Sequence, residues 1–377
     1  MSPTVGVLGG GQLARMMIAP AVALGIDLRV FAETADSSAS LAATTVGDYR
    51  DEVAVLAFAR GLDVVTFDHE HVPYSILLAL IEEGIAVHPR PDALHFAQDK
   101  LAMRTRLTEL GVAAPEWKAV ACVAELSAFM ATHGGAAVVK TPRGGYDGKG
   151  VRVVREAADA ADWLDRAAAA GDGPLLAEEL VSFRRELSQV LARRPSGEIM
   201  LWPVVESIQR DGVCVEVIAP APDSVGILAR VAADVAITIA EQLDVTGVLA
   251  LELFHTTDER LLVNELAMRP HNSAHWTIDG STTSQFEQHL RAVLDLPLGA
   301  TGCRDPWSVM VNVLGGPESG HLADRYQTAL ADQPTVKFHS YGKESRPGRK
   351  VAHVTAGGDD LEETIFRARA AAAFLED

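Results

Sequence analysis

Cysteine is scarce in this chain. Cys122, Cys214 and Cys303 are odd in number and far apart among 377 residues, which fits neither a disulfide framework nor a C-x-x-C metal or redox site. No run of about 18 uncharged apolar residues occurs, and "MSPTVGVLGGG" lacks the charged flank, apolar core and cleavage site of a secretory signal. A reducing cytoplasm is therefore the expected compartment, with no membrane partner. Basic charge is also short: 33 Lys and Arg against 51 Asp and Glu leave −18. General nucleic-acid binding is disfavoured, and any anionic ligand must be held by local clusters. Internal repeats and low-complexity linkers are absent as well. What remains is an ordinary globular composition, 48% hydrophobic and 22% charged, long enough for two or three compact units.

The first hundred residues alternate short apolar strands ("TVGVLG", "LRVFAE", "DVVTF", "IAVHP") with helical stretches, the pattern of βαβ units on a parallel sheet. A helix is expected from about Asp92 to Leu110, closed by "GVAAP". A smaller unit follows to about Leu180. Longer strands then predict an α+β region with antiparallel pairing: "RELSQVLAR", "IMLWPVVES", "VCVEVIAP", "GVLALELFH" and "RLLVNELA". The expected division is 1–110, 111–180 and 181–377.

Four constellations and one further acidic stretch carry chemistry. In "GVLGGGQLA", Gly9, Gly11 and Ala14 after a strand, with Glu33 ending the next, match a dinucleotide fingerprint; a plain strand-to-helix turn reads equally well. In "KTPRGGYDGKG", Lys140 ends a strand, and Gly144, Gly145, Gly148 and Gly150 surround Tyr146, Asp147 and Lys149. Glycines let backbone amides approach phosphate while lysines supply point charges, so a phosphate-covering lid is expected, with spacing that excludes a Walker loop. "LELFHTTDERLLVNEL" reads as a hairpin turning between Asp258 and Glu259. A symmetric register sets Glu252 opposite Glu265 and Phe254 opposite Val263. Two facing carboxylates repel unless a hard divalent cation joins them, and Mg²⁺ needs only one or two carboxylates beside phosphate oxygens. A one-residue slip would instead leave both glutamates on a solvated face. Finally, "HSYGKESRPGRKVAH" gathers Lys343, Arg346, Arg349 and Lys350, a basic patch suited to a phosphate monoester or simply a solvated loop. "EELVSFRRE" adds Glu178, Glu179 and Glu186, either surface residues or acceptors for an adenine amino group and ribose hydroxyls.

Taken in order, "GVLGGGQLARMM", "DVVTFDHEHVP", "VVKTPRGGYDGKG", "NELAMRPHNSAHW" and "YGKESRPGRK" resemble the ATP-grasp superfamily and, within it, the N5-carboxyaminoimidazole ribonucleotide synthetases. The resemblance covers nearly the whole chain. It implies an N-terminal Rossmann-like pre-ATP-grasp domain, a small lid domain and a C-terminal α+β domain. It also implies an ATP-dependent ligase carboxylating 5-aminoimidazole ribonucleotide with bicarbonate, as a homodimer. ATP would meet Lys100, Lys140, the loop from Gly145 through Tyr146, Asp147, Gly148, Lys149 and Gly150 to Val151, the linker Glu178, Glu179, Leu180 and Val181, and Glu186, Gln209, Asn264 and Glu265. Glu252 and Glu265 would hold Mg²⁺, with Mn²⁺ a substitute. The ribonucleotide would sit against Gly11, Gln12, Tyr146, Asp147, Lys343, Arg346, Arg349 and Lys350. Arg269, His271, Asn272 and Ser273 resemble the segment holding bicarbonate and the ribonucleotide near the γ-phosphate. Catalytic roles fall on Tyr146, Asp147, Arg269, His271 and Lys343. The chain departs from the pattern at Gln209, where family members often carry histidine, at Ala14 and Ala274, which replace glycines, and at Ala267, where many ATP-grasp enzymes place a metal-binding Asn. Rival readings are another ATP-grasp ligase, an NAD-dependent oxidoreductase resting on the first motif alone, and a silent nucleotide-binding protein.

Overall fold

Three sheets follow one another along the chain in the computed structural model, which describes residues 2–145, 149–224, 226–317 and 321–376. Strands β1 (Thr4–Leu8), β2 (Asp27–Ala32), β3 (Ala43–Val46), β4 (Val64–Phe67) and β5 (Ala86–Val87) form an all-parallel sheet in the order β3-β2-β1-β4-β5. Helices α1 (Gln12–Leu24), α2 (Glu52–Ala59) and α3 (Tyr74–Glu82) connect them. β4 is buried along its whole length, as helix-covered parallel strands are. The chain leaves β1 toward one edge and returns through β4 on the other side, so the loops after β1 and β4 meet at a switch point, where open α/β sheets bind ligands.

The helix expected over 92–110 is two helices, α4 (Pro91–Gln98) and α5 (Lys100–Glu109). Asp99 adopts an extended backbone, and its carboxylate accepts the amides of Leu101 (3.0 Å) and Ala102 (3.1 Å). A good N-cap thus restarts the helix, with Lys100 and Arg104 one turn apart on the new segment.

The second sheet is antiparallel: β6 (Trp117–Val120), β7 (Ala137–Lys140), β8 (Val151–Val154) and β9 (Leu175–Glu179), in the order β6-β9-β7-β8. Helices α6 (Val123–Thr132) and α7 (Ala161–Ala170) pack on it through Leu126, Phe129 and Leu164. The glycine-rich loop joins β7 to β8, and its stem is pinched. A Cβ on Gly145 would lie 2.6 Å from the Lys149 carbonyl oxygen, and one on Gly150, at φ +76°, 2.5 Å from Thr141 Oγ1.

The third sheet contains β10 (Phe183–Arg193), β11 (Ile199–Leu201), β12 (Val205–Arg210), β13 (Val213–Ala219), β14 (Gly247–Thr256), β15 (Leu261–Ala267), β16 (Trp307–Leu314), β17 (Lys337–Ser340) and β18 (Lys350–Gly358). Its order is β15-β14-β10-β12-β13-β16-β18-β17, with β11 paired to β10. The strand expected over 199–207 breaks at Trp202-Pro203-Val204, since proline cannot donate to a ladder; buried Trp202 instead donates its indole N–H to the Thr283 carbonyl at 3.2 Å. Helices α8 (Ile227–Gln242), α9 (Thr277–Gly280), α10 (Gln285–Val293), α11 (Tyr326–Asp332) and α12 (Leu361–Glu376) complete the chain. Leu94, Met103 and Leu107 share one apolar cluster with Leu249, Val263 and Leu266, while Phe286 and Leu290 of α10 pack against Leu13 and Met17 of α1. First and third sheets are therefore seamed together on two sides of a cavity. The fold is α/β in its first part and α+β thereafter, as expected.

Candidate active site

The cavity measures about 590 Å³, within the usual range of small-molecule sites. One wall comes from the switch point. Asp68, directly after β4, accepts the amides of Gly11 (3.0 Å) and Ala14 (2.8 Å) at the start of α1. These are the donors a dinucleotide pyrophosphate would need, and the chain's own carboxylate already sits on the positive end of the helix. A Cβ on Gly11 would collide with that same carboxylate. The dinucleotide reading of Gly9, Gly11, Ala14 and Glu33 is thereby corrected: the glycines make room for Asp68, and Glu33 stands 3.8 Å from His69. Gln12, one residue on, lines the cavity together with Asp68, His69, Glu70 and His71.

The opposite wall is the β14–β15 hairpin. Glu252 pairs with Glu265, as the symmetric register requires, but the next pairs are Leu253 with Val263 and Phe254 with Leu262. Phe254 does not face Val263 because Asn264 is an extra residue, a β-bulge that bends the strand locally. Its side-chain oxygen accepts Lys140 Nζ at 3.0 Å, and its carbonyl accepts Arg104 at 2.6 Å. Lys140 also meets Glu178 at 2.7 Å, and Glu178 is bound by Arg104 at 2.5 Å. Only 2% of Glu178 is exposed, so it is not an open acceptor at a strand edge: its carboxylate is consumed by two cations. Burial raises its pKa, Lys140 and Arg104 outweigh that, and the net shift is downward.

Glu265 is paired with Lys100, and Glu252 lies 3.3 Å from His271 Nε2. Burial raises Glu252, but its bond to His271 and that ring's charge hold it below the ordinary carboxylate range. Glu186, whose backbone faces Phe254 across β10 and β14, has the opposite balance. Burial and the Glu252 charge push its pKa to about 7 against the pull of Lys140.

"RPHNSAHW" closes the cavity. Arg269 bonds Glu70 at 2.8 Å; burial raises the Glu70 pKa, and Arg269 more than reverses that. His271 is held through its backbone by Gln285, which accepts its N–H and donates to its carbonyl, both at 2.8 Å, and also donates to His275 at 2.8 Å. Behind His271, Ser273 Oγ lies 2.9 Å from its Nδ1 and 2.7 Å from Ser188 Oγ. Ser273 therefore supports His271 and, 1% exposed, does not face the cavity. Asn272 lines it while exchanging amide bonds with Asn312 at 3.1 and 2.7 Å.

Three family models match the chain: a ribonucleotide synthetase preATP-grasp domain over residues 1–98, an ATP-grasp domain over 105–286, and a phosphoribosylaminoimidazole carboxylase C-terminal domain over 308–367. The N5-carboxyaminoimidazole ribonucleotide synthase of Mycobacterium tuberculosis (strain ATCC 25618 / H37Rv) is 50% identical over 379 residues, covering 100% of this chain and 88% of that protein. The chain belongs to the N5-carboxyaminoimidazole ribonucleotide synthase family. The solved synthetase of Thermus thermophilus is 37% identical with a TM-score of 0.87, covering 99% of each chain. That of Aspergillus clavatus, in complex with ADP and 5-aminoimidazole ribonucleotide, is 30% identical with a TM-score of 0.88, covering 99% of this chain and 98% of the other.

Not every residue that the synthase resemblance nominated reaches the cavity. Tyr146, Asp147 and Gly148 lie outside the described residues. Lys100, Gly145, Glu252, Glu265, Arg269 and His271 line the wall, as does Lys350. Lys343 bonds Gln12 at its rim. Arg346 is drawn off by the Glu344 carboxylate (2.9 Å) and Arg349 by the Glu344 carbonyl (3.3 Å), so the four-cation patch is divided. The linker residues Glu179, Leu180 and Val181 are not among the described lining residues; Glu179 caps the Glu116 amide at 3.0 Å. Nor are Gly150, Val151 and Gln209, the last lying on β12 opposite Cys214. Sequence reasoning passed over Asp68, Glu70, Arg104, Gln285 and Asn312. Of these only Asp68 and Glu70 carried a signal, in "FDHEH", where charged and imidazole groups crowd the end of a buried strand.

Proposed function

We infer that this chain is an ATP-dependent ligase carboxylating 5-aminoimidazole ribonucleotide with bicarbonate to N5-carboxyaminoimidazole ribonucleotide, in de novo purine biosynthesis. The observation that carries the reading is the Glu252–Glu265 pair, set opposite each other on the cavity wall beside the Lys140–Asn264 bond. Two facing carboxylates, one of them met by His271, supply the oxygen donors a hard cation takes, and they fit Mg²⁺, or Mn²⁺ in its place. When bound, that ion neutralises phosphate charge. Lys100, Lys140 and Lys149 hold the phosphates, and the glycine stem lets backbone amides approach them. Glu186 and the backbone of the 179–181 linker hold the nucleoside end, Glu178 being taken up by Lys140 and Arg104.

Bicarbonate oxygen attacks the γ-phosphorus; the bond to the β-phosphate oxygen breaks, giving ADP and carboxyphosphate. The ribonucleotide amine then attacks the carboxyl carbon, releasing inorganic phosphate and one proton. Arg269 and His271 orient the oxyanions, while Asp147 orients or deprotonates the amine. Closure of the glycine loop keeps water from carboxyphosphate. Gln12 and Lys343 hold the ribonucleotide, with Lys350 nearby. The reading places the enzyme in the cytoplasm as a homodimer. No helix among the described residues is long and apolar enough to cross a membrane.

The test is ADP release with Mg²⁺, ATP and bicarbonate, with and without the ribonucleotide. Ribonucleotide-stimulated release, entry of labelled bicarbonate into an acid-labile product, and loss of both in Glu265→Gln are expected. ATP binding with no stimulation would refute the substrate.

A further inference from the structure

Arg104 is fully buried, yet no step above uses it. A guanidinium is costly to remove from water, and this one is matched donor by donor. Its Nε bonds Glu178 at 2.5 Å, one terminal nitrogen bonds the Val263 carbonyl at 3.1 Å, and the other bonds the Asn264 carbonyl at 2.6 Å. Carbonyls of successive residues in a regular strand point to opposite sides. Here two meet one side chain at the bulge on β15, the last strand of its sheet among the described residues, where the Val263 amide also donates to the Ala113 carbonyl at 2.9 Å. Glu178 passes the contact to Lys140, and Lys140 returns it to the Asn264 side chain, closing a ring of four residues. The ring ties helix α5 to the lid sheet and to the hairpin.

We propose that Arg104 is a positioning residue for nucleotide binding: through Glu178 it aims Lys140 at the phosphates, and through the bulge carbonyls it sets the direction of Glu265. The spacing on α5 supports this. Lys100 meets the Glu265 side chain, and Arg104, one turn later, meets the backbone of the two residues before it. Lysine could not replace Arg104, because three acceptors in different directions need a fork. The proposal rests on the phosphate and metal roles assigned above, so its test reads nucleotide binding first and uses the ribonucleotide KM as the control.

The experiment is titration calorimetry of the full-length protein with ADP, with and without Mg²⁺, on wild type, Arg104→Lys and Glu178→Gln. Glu178→Gln weakens the Arg104–Glu178–Lys140 arm while Arg104 keeps both bulge carbonyls, and so weakens metal-free ADP and MgADP by the same factor, about tenfold. Arg104→Lys also releases the bulge, so MgADP weakens by a further factor of about ten beyond metal-free ADP. The KM for the ribonucleotide stays within about twofold in both variants. A folded Arg104→Lys protein that binds MgADP like wild type overturns the proposal. So does one losing nucleotide and ribonucleotide affinity alike, the mark of general loosening. If Arg104→Lys does not fold, unchanged ADP binding in Glu178→Gln overturns it and an equal loss in both titrations supports it. Wild type that binds MgADP but shows no ribonucleotide-stimulated turnover leaves this proposal standing and removes the substrate assignment instead.

Discussion

Gln285 illustrates how a neutral side chain governs a charged one. Its amide has two ends, and the backbone of His271 uses both, accepting at one and donating at the other. Leucine would fill the volume and leave the His271 N–H and His275 Nδ1 without partners, while the His271 carbonyl would keep the Ala274 amide at 3.0 Å. Each buried orphan costs ~1–3 kcal/mol, so Gln285→Leu is expected to be less stable by about that much in urea melts and to lose about tenfold or more in kcat. The KM for ATP should hold; a kcat equal to wild type would refute the role. At this scale the sequence was legible where chemistry is written locally. Glu252 and Glu265 followed from one hairpin centre. Asn264 as a bulge did not, because a single inserted residue leaves the strand's composition intact. Arg104 was equally silent: an arginine in a helix reads as a solvated charge, and only the tertiary partners Glu178 and Val263 reveal otherwise.

Among the elements, α1 stands out for having its N-terminal amides filled from another strand's loop. The bonds from Gly11 and Ala14 to Asp68 tie α1 to β4 across the switch point. Asp68→Ala removes an N-terminal acceptor and a favourable charge, at a cost of ~1–2 kcal/mol. Denaturant unfolding of the variant should show that loss, and the ribonucleotide KM should rise as the first turn that carries Gln12 loosens; unchanged stability would contradict the account. Strand and helix alternation made the parallel sheet readable, since its period changes are strong and its buried strands are apolar. Two boundaries were misread where one residue outweighs a pattern: Asp99 splits a helix by capping, and Pro203 splits a strand by lacking a donor. β16, β17 and β18 were not delineated at all. β16 and β18 bury Asn312, His353 and Thr355, each nearly inaccessible, and polar residues inside strands erase the alternation on which strand reading depends.

At the scale of the whole molecule, buried ionisable groups make stability depend on pH in two opposing senses. Burial pushes His275 and His353 well below their ordinary value and His289 to about 3. The unfolded chain binds protons at these sites below about pH 6.5 and the native chain does not, so their contribution is complete above that value and is lost as pH falls. His289 alone accounts for about 2 kcal/mol between pH 6.5 and 5. Glu186 works the other way. Its native pKa of about 7 exceeds the unfolded value, so the folded state keeps a proton that the unfolded one gives up. That contribution is present at acid pH and lost as pH rises toward and through 7. Between about pH 4.5 and 6.5 the two effects overlap and oppose each other, so thermal melts of ligand-free protein should rise with pH less steeply than the histidines alone require. In Glu186→Gln that rise should steepen; an unaltered slope between about pH 5 and 7 would refute the assignment.

The pairing of acids along the cavity has a further meaning. Glu70 has Arg269, Glu178 has Arg104 and Lys140, Glu252 has His271, and Glu265 has Lys100. In a molecule carrying −18 overall, this pocket is not a magnet for anions; it is a resin already loaded with its own counter-ions. On the proposed function, triphosphate and metal would enter by trading places: a cation held by Glu265 would free Lys100 for phosphate, so that each incoming charge meets a group released by the other.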